Sequence, residues 1–387
     1  MAVFASIGLG RFALGMLLPS MGASLGLSYA EMGTISTVNF VGYLVSVVAV
    51  GHLLRRLTSR FLIAVSLILV GATIILISRA DGFFTVMGLY FLTGIGSGGG
   101  NLLAMALVAH WFTRRRRGRA AGFMVCGSGL GIVFSGMLVP WVNAAEGAEG
   151  WRTSWLIIGL ACLGIAAVCA VLIKDNPRII GLDSVGGQDS ASPAAPPALQ
   201  KPLHKSPVLL HLGTIYFLFG YTYVIYATFI VTALVQERGF SEAAAGQVWA
   251  WIGLLSLLSG PVFGSLSDRL GRKAGMMIVF ATQTAAYLLV AADLPVAYLY
   301  LSIALFGIVA WSIPSIMAAA AGDYMGAERA AAALGLITFI FGFGQMLGPA
   351  IAGMLADQSG SFQSSFTMTA ALAGLAVVLT AFLRKPH

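Results

Sequence analysis

Arg11 lies inside an apolar run, GLGRFALGMLLPSM, with no acid or second base beside it. Burying an arginine in such a helix costs at least about 2.5–3.5 kcal/mol, so something has to offset it. Its planar fork of donors suits carboxylates, and facing a cavity it would attract an anion. A second account stands beside the first. Side chains lean toward a helix N-terminus, so from this shallow position Arg11 also reaches headgroups or a neighbouring helix's carbonyls.

Other polar side chains in apolar runs recur at helical spacing. Gly94, Ser97, Asn101 and Met105 share one face, and Asn39 pairs with Tyr43. Thr214, Tyr221 and Thr228 form a stripe with Tyr221 at its centre, against a rival face of Tyr216, Tyr223 and Tyr226. Gly307, Trp311 and Ser315 form another face, and Thr338 and Gln345 a last one. Arg11, Asn39, Tyr43, Asn101, Tyr221, Trp311 and Gln345 are the candidate substrate-binding set. Asn101 has the alternative of a helix-to-helix hydrogen bond, and Trp311 that of plain packing. Aromatic walls with sparse polar groups suit a small or partly apolar anion. The chain offers no nucleophile–base constellation and no metal-ligand spacing. Cys126, Cys162 and Cys169 all sit in apolar segments as core thiols. Neither enzyme chemistry nor a cofactor or metal is expected.

The elements that must position these residues follow from composition. The 387 residues are 58% hydrophobic and 9% charged, against about 25% charged in soluble domains. A soluble core does not bury that much apolar side chain. Three cysteines exclude a disulfide scaffold, and the scarcity of charge excludes a disordered chain. Apolar runs fall at 3–22, 33–54, 60–78, 83–110, 119–142 and 152–173, then at 207–235, 243–264, 274–292, 295–321, 329–356 and 362–383. Each is long enough to span a bilayer at about 20 residues. The expectation is an all-α membrane protein of twelve transmembrane helices: an N-terminal six-helix bundle (1–173), a cytoplasmic linker (174–206) and a C-terminal six-helix bundle (207–387). The linker holds Pro177, Pro193, Pro196, Pro197 and Pro202 of the 13 prolines and reads as flexible. No cleavable signal is evident at the start, where a basic n-region is missing.

The net charge of +8 matters through its distribution. With the N-terminus inside, every Lys and Arg falls in a cytoplasmic segment except Arg79, Arg152 and Arg238 outside and Arg11 within the membrane. That bias puts both termini and the linker in the cytoplasm, and the setting expected is the bacterial cytoplasmic (inner) membrane. The run Arg114–Arg117 then anchors at anionic lipid rather than at nucleic acid. No Asp or Glu lies mid-span: Asp323 and Asp357 sit at helix ends, and His52 and His110 near cytoplasmic ends. A carboxylate proton relay of the usual kind is therefore absent.

The halves echo each other. GHLLRRLTSR (Gly51–Arg60) follows the second span and GSLSDRLGRK (Gly264–Lys273) the eighth, while Arg119-Ala-Ala and Arg329-Ala-Ala open the fifth and eleventh. An even number of spans per repeat gives both halves one orientation. In GSLSDRLGRK, Gly264 permits close helix approach, Asp268 places an anion at the helix end and Gly271 turns the chain. Arg269, Arg272 and Lys273 hold that turn at the headgroups. This loop, with the six-plus-six layout, resembles the major facilitator superfamily, whose signature G-x-L-x-D-R-x-G-R-K is matched in full. The resemblance covers essentially the whole chain. It implies the major facilitator fold, two pseudo-symmetric bundles rocking around a central site, and secondary active transport of a small solute without chemistry on it. GLGRFALGMLLPSM, NFVGYL and HWFTRRRRGRAAG resemble more finely the YbfB/YjiJ-like bacterial branch, with some likeness to monocarboxylate and oxalate carriers.

The departures also count. In the first half Arg55 stands for the motif's Asp and Thr58 for its glycine. Tyr90 replaces the Arg often found before Gly94-Ile-Gly96, and the fifth span lacks the Gly-Pro pair of many drug–proton antiporters. The basic residues that monocarboxylate and oxalate carriers hold in the eighth or eleventh span are missing. In this fold the loop Asp caps a helix of the opposite half, so Asp268 is expected near Gly118 and Arg119. A reversed latch would pair Arg55 with Glu328 or Asp323. The reading is a carrier of a small organic solute, an organic anion such as a carboxylate, working as a monomer by alternating access with a coupled proton or an exchanged anion. An exporter of hydrophobic compounds is the first alternative, and a non-transporting sensor or scaffold the second. Membrane lipid is the expected surrounding partner, and nucleic acid is not one.

Overall fold

The structure, a computed structural model, describes residues 1–186, 203–326 and 329–383, with the side chains at 114 and 115 left aside. Among them the chain is helical nearly throughout. A wide-turned π-helical stretch (Phe4–Phe12) runs into α1 (Ala13–Leu25). After it come α2 (Tyr29–Leu53), α3 (Ser59–Ile77), α4 (Phe83–Trp111), α5 (Arg114–Glu146) and α6 (Gly150–Leu172). The second half holds α7 (Pro207–Gln236), α8 (Glu242–Leu270), α9 (Arg272–Ala291), α10 (Val296–Val309), α11 (Ser312–Met325), α12 (Ala330–Ser359) and α13 (Gln363–Ala381). Among the described residues eleven stretches are long and apolar enough to cross a membrane, and one of them, Arg116–Leu172, contains nearly all of α5 and the whole of α6. Twelve crossings result, as the hydropathy implies.

Local chemistry sets the ends. Ser28 accepts from Glu31 N and Glu31 returns a bond to Ser28 N, a reciprocal cap on α2. Thr58 and Ser241 cap α3 and α8. The tenth crossing, expected as one helix over 295–321, is two pieces that part at Ala310 and Trp311. Pro314 is the reason: it has no N–H to continue the ladder back to Ala310.

One face carries Arg55, Arg56, Arg60, Arg269, Arg272 and Lys273 (the basic face), and the other Glu31, Glu237, Glu242 and Asp357 (the acidic face). At the acidic face the halves are sealed. The two Asp357 oxygens accept from Tyr29 N (2.8 Å) and Ala30 N (3.1 Å), so α12 caps the positive N-terminus of α2. Asn143 on α5 donates to Glu242 on α8 at 2.6 Å. A Cβ on Gly33 would stand 2.2 Å from the Pro349 carbonyl oxygen, and one on Gly353 would stand 2.3 Å from that of Tyr29. The α5–α8 crossing is as tight, with a Cβ on Gly246 meeting the Gly136 oxygen at 2.4 Å. Exchanging the halves turns α2 against α12 into α8 against α5, so the seal obeys the internal symmetry.

At the basic face the same helices part. Gly118 and Gly122 on α5, Gly264 on α8 and Gly335 on α12 have no described atom within 4 Å of a Cβ position. Arg55 and Arg119 are exposed there. The linker differs from expectation: residues 174–186 are ordered. Val185 forms a parallel bridge with Phe112, its N–H donating to Trp111 O at 2.8 Å. Trp111 Nε1 donates to Lys174 O at 2.8 Å, and Asp175 accepts from Arg60 N at 2.8 Å. Backbone pairing that composition does not reveal ties this segment to the end of α4.

Candidate functional site

The site begins with the π-helical stretch. Its extra residue per turn brings Arg11 to the junction with α1, next to the crossing where Gly15 meets Ala227 O of α7 (2.6 Å from a Cβ). Arg11 is 9% exposed, the one buried Lys, Arg, Asp, Glu or His among the described residues. Its guanidinium carbon lies 4.5 Å from the Phe40 ring centroid and 4.4 Å from that of Tyr43, both on α2. The guanidinium thus lies over both rings, a cation–π attraction that strengthens on desolvation. Nε and Nη2 are buried with no hydrogen-bond partner. Those two N–H groups point the same way along one edge and form the fork that grips a carboxylate with two parallel bonds. The side chain is turned into the protein and not out toward headgroups.

Tyr90 fixes the main chain beneath. Its hydroxyl donates to Arg11 O at 2.9 Å, and Asn39 Nδ2 donates to Tyr90 O at 3.1 Å. Replacing the family's frequent Arg with Tyr thus trades a charge for a strut that holds the backbone of the charge at 11. Tyr90→Phe keeps the ring and drops this bond. The expected cost is about 1 kcal/mol of stability, read as a lowered unfolding midpoint in detergent.

The second half supplies the facing wall. Trp311, at the break between α10 and α11, stands 5.0 Å from the Phe12 ring and 5.5 Å edge-on from Tyr223. Its backbone N–H donates to Ser259 Oγ at 3.1 Å, which secures the break. Its indole Nε1 is buried without a partner. Gln345 on α12 donates from Nε2 to the Tyr223 hydroxyl, and that hydroxyl also interacts with the Arg11 guanidinium. Asn101 Nδ2 donates to the Tyr43 hydroxyl at 3.0 Å. A cleft lined by Arg11, Phe12, Ser36, Phe40, Val224 and Thr228 offers about 10 Å³ of free space, the room of roughly one water. A larger guest enters only as these side chains move.

Of the expected set, Arg11, Tyr43, Asn101, Trp311 and Gln345 meet in this group. Asn39 does not face it: it is buried between α2 and α4, bonded to Tyr90 O. Tyr221 points elsewhere, its hydroxyl 3.7 Å from Met368 Sδ on α13, and the rival face prevails through Tyr223. Phe12, Phe40, Tyr90 and Tyr223 contact this group and were not among the candidates. For Phe40 the available signal was its place in NFVGYL, one turn before Tyr43.

The loop residues also differ from expectation. Asp268 joins Arg272 of its own half, and Arg272 donates from Nε to Asp323 at 2.7 Å and from Nη1 to Ser267 Oγ at 2.9 Å. No described contact joins Asp268 to Arg119, because the halves are parted on that face. Asp323 is taken up by Arg272 and not by Arg55. Glu328 lies outside the described residues. Gly271 turns the chain with φ +88°, Gly264 has open space beside it, and Arg269 is exposed.

Comparison with known proteins places this geometry. The probable sulfoacetate transporter SauU of Cupriavidus necator is 24% identical over 96% of this chain and 89% of its own. The hexuronate transporter of Bacillus subtilis is 24% identical over 94% of this chain and 88% of its own. Among solved structures, a bacterial homolog to the human lysosomal transporter Spinster, in an inward-facing and occupied conformation, superimposes with a TM-score of 0.76. It has 14% identity and covers 98% of this chain and 94% of that one, so it shares the fold. Residues 3–381 match the family described as "Uncharacterised MFS-type transporter YbfB", and this chain belongs to that family of the major facilitator superfamily.

Proposed function

We propose that this protein carries small organic anions across the bacterial cytoplasmic membrane by alternating access, with Arg11 as the anion's anchor. The observation that carries the reading is the buried guanidinium that lies over the Phe40 and Tyr43 rings and whose Nε and Nη2 have no hydrogen-bond partner. A desolvated cation without a counter-ion is costly, and an anion arriving at the fork supplies one. The transporters named for sulfoacetate and hexuronate, both organic anions, lend support. With the basic face cytoplasmic, the structure is open inward. The opposite state then requires Asp357 to leave the α2 N-terminus and Asp268 to approach α5. Moving a monoanion inward alone works against about 2.3 kcal/mol per 100 mV, so import couples to a proton or to anion exchange.

The test is counterflow in proteoliposomes with a panel of small carboxylates and apolar drugs. Saturable exchange confined to the carboxylates is the expected result. Carboxylate indifference with apolar-compound flux makes the hydrophobic exporter the better account.

A further inference from the structure

We infer that the solute is a monoanion with a flat, largely apolar body and one hydrogen-bond acceptor placed away from its charge. This rests on the reading of Arg11 as the anion's anchor and narrows it to a class that the names of the relatives do not suggest.

Three observations carry it. The first is the charge count. Among the described residues the site holds one cation, with one open edge; a second carboxylate would have no positive partner, and desolvating it unpaired is strongly unfavourable.

The second is the use of the polar groups. Asn101 donates one N–H to Tyr43, Gln345 one to Tyr223, and Ser36 pairs with Thr228 at 3.3 Å across the halves. A polyhydroxylated acid needs several partners at once and has to share or break these bonds. Each unmatched hydroxyl then counts against binding, because a buried polar group without a partner loses its hydration and gains nothing. The exception on the facing wall is Trp311 Nε1, buried and unpartnered, whose indole lies beside the Phe12 and Tyr223 rings. Indole N–H donates only, so what it awaits is an acceptor.

The third is shape. Phe12 and Phe40 line the cleft beside Arg11; Tyr43 lies against the guanidinium, and Trp311 packs on Phe12 and Tyr223. The free space beside Arg11 is about 10 Å³. A planar ring that enters as these side chains move gains offset or edge contacts with them. A puckered sugar acid requires a wider opening and replaces ring contacts with hydroxyls.

The class that fits is an aromatic monocarboxylate carrying a carbonyl, ester or ether oxygen at its far end. Binding forms no covalent bond. The carboxylate bridges Nε and Nη2 of Arg11, and the distal oxygen accepts from Trp311 Nε1.

Competition for counterflow tests this with three probes of one ring: monomethyl terephthalate, benzoate and terephthalate, with glucuronate as the polyhydroxylated acid. Monomethyl terephthalate is expected to compete at least tenfold more strongly than benzoate, terephthalate or glucuronate. In Trp311→Phe its advantage over benzoate is expected to fall below twofold. Because the ratio is taken within one variant, loss of folded protein does not imitate the result. Glucuronate or terephthalate competing best overturns this inference and leaves the anion carrier standing. An ester preference that survives Trp311→Phe removes the indole from recognition and overturns the two-point assignment. Failure of every carboxylate to compete overturns the anion reading itself.

Discussion

Arg11→Gln is expected to lower carboxylate counterflow by two to three orders of magnitude while leaving a protein that unfolds at a higher temperature. The two effects share one cause. Removing one partner of a buried, hydrogen-bonded charge pair costs about 3–5 kcal/mol, and about 1.4 kcal/mol is a factor of ten. Before the substrate arrives, the same guanidinium is a buried cation with two unsatisfied N–H groups, a burden that glutamine lightens. Opposed changes in stability and activity mark a group kept for function, whereas an arginine retained for packing would lose both together. Arg11→Lys sharpens the test. It keeps the charge but offers a point in place of a fork and a smaller surface to the Phe40 and Tyr43 rings, so it should restore only a minor part of the exchange. Counterflow and thermal unfolding of the three proteins decide the matter. Full exchange in Arg11→Gln would return the residue to a structural role.

Gly33→Val is expected to be the other large effect, acting on the cycle and not on the site. The new Cβ would stand 2.2 Å from Pro349 O and 2.9 Å from the Pro349 carbonyl carbon, both backbone atoms that no rotamer change removes. The α2–α12 seal then has to open, and with it go the bonds from Tyr29 and Ala30 to Asp357. A penalty of about 3 kcal/mol on the sealed state changes the ratio of the two states more than a hundredfold. Transport should collapse, since a carrier that cannot close one face cannot alternate. Ser36→Cys reports the change directly: residue 36 is buried beneath the seal beside Thr228. An impermeant maleimide added from the acidic side should label Ser36→Cys slowly in the parent background and rapidly with Gly33→Val. Equal labelling in both would show that the seal tolerates the methyl groups and that this crossing is not the gate.

The site was partly legible in the sequence, and the reason differs from helix to helix. A lone arginine in an apolar run stands out because its burial cost is large against everything around it. Asn101 and Tyr43 were found as rare polar groups on apolar helices, and they bond to each other. Gln345 was found the same way. The choice on α7 between Tyr221 and Tyr223 failed for a definite reason. From Leu218 to Leu234, the stretch that holds both tyrosines, every residue of α7 is buried in protein. Hydrophobic periodicity marks a helix face only where one side meets a different medium; this stretch has no such contrast, so its sequence carries no sign of direction. Phe40 escaped notice because an aromatic ring over a guanidinium looks, in sequence, like any other apolar residue.

The class of the protein, the twelve crossings, the duplication, the signature loop and the presence of one intramembrane cation are all legible in the amino-acid chain. Each of these depends on local composition and spacing, and the energy of moving side chains out of water is large enough to impose it residue by residue. Tertiary structure alone decided where that cation points, which tyrosine meets it, which face is sealed and where the tenth crossing and the linker depart from a plain helix and a free coil. These depend on contacts between segments hundreds of residues apart, such as Tyr29 with Asp357 or Phe12 with Trp311. Their energies are small beside those of burial, and they exist only once the helices have found their neighbours.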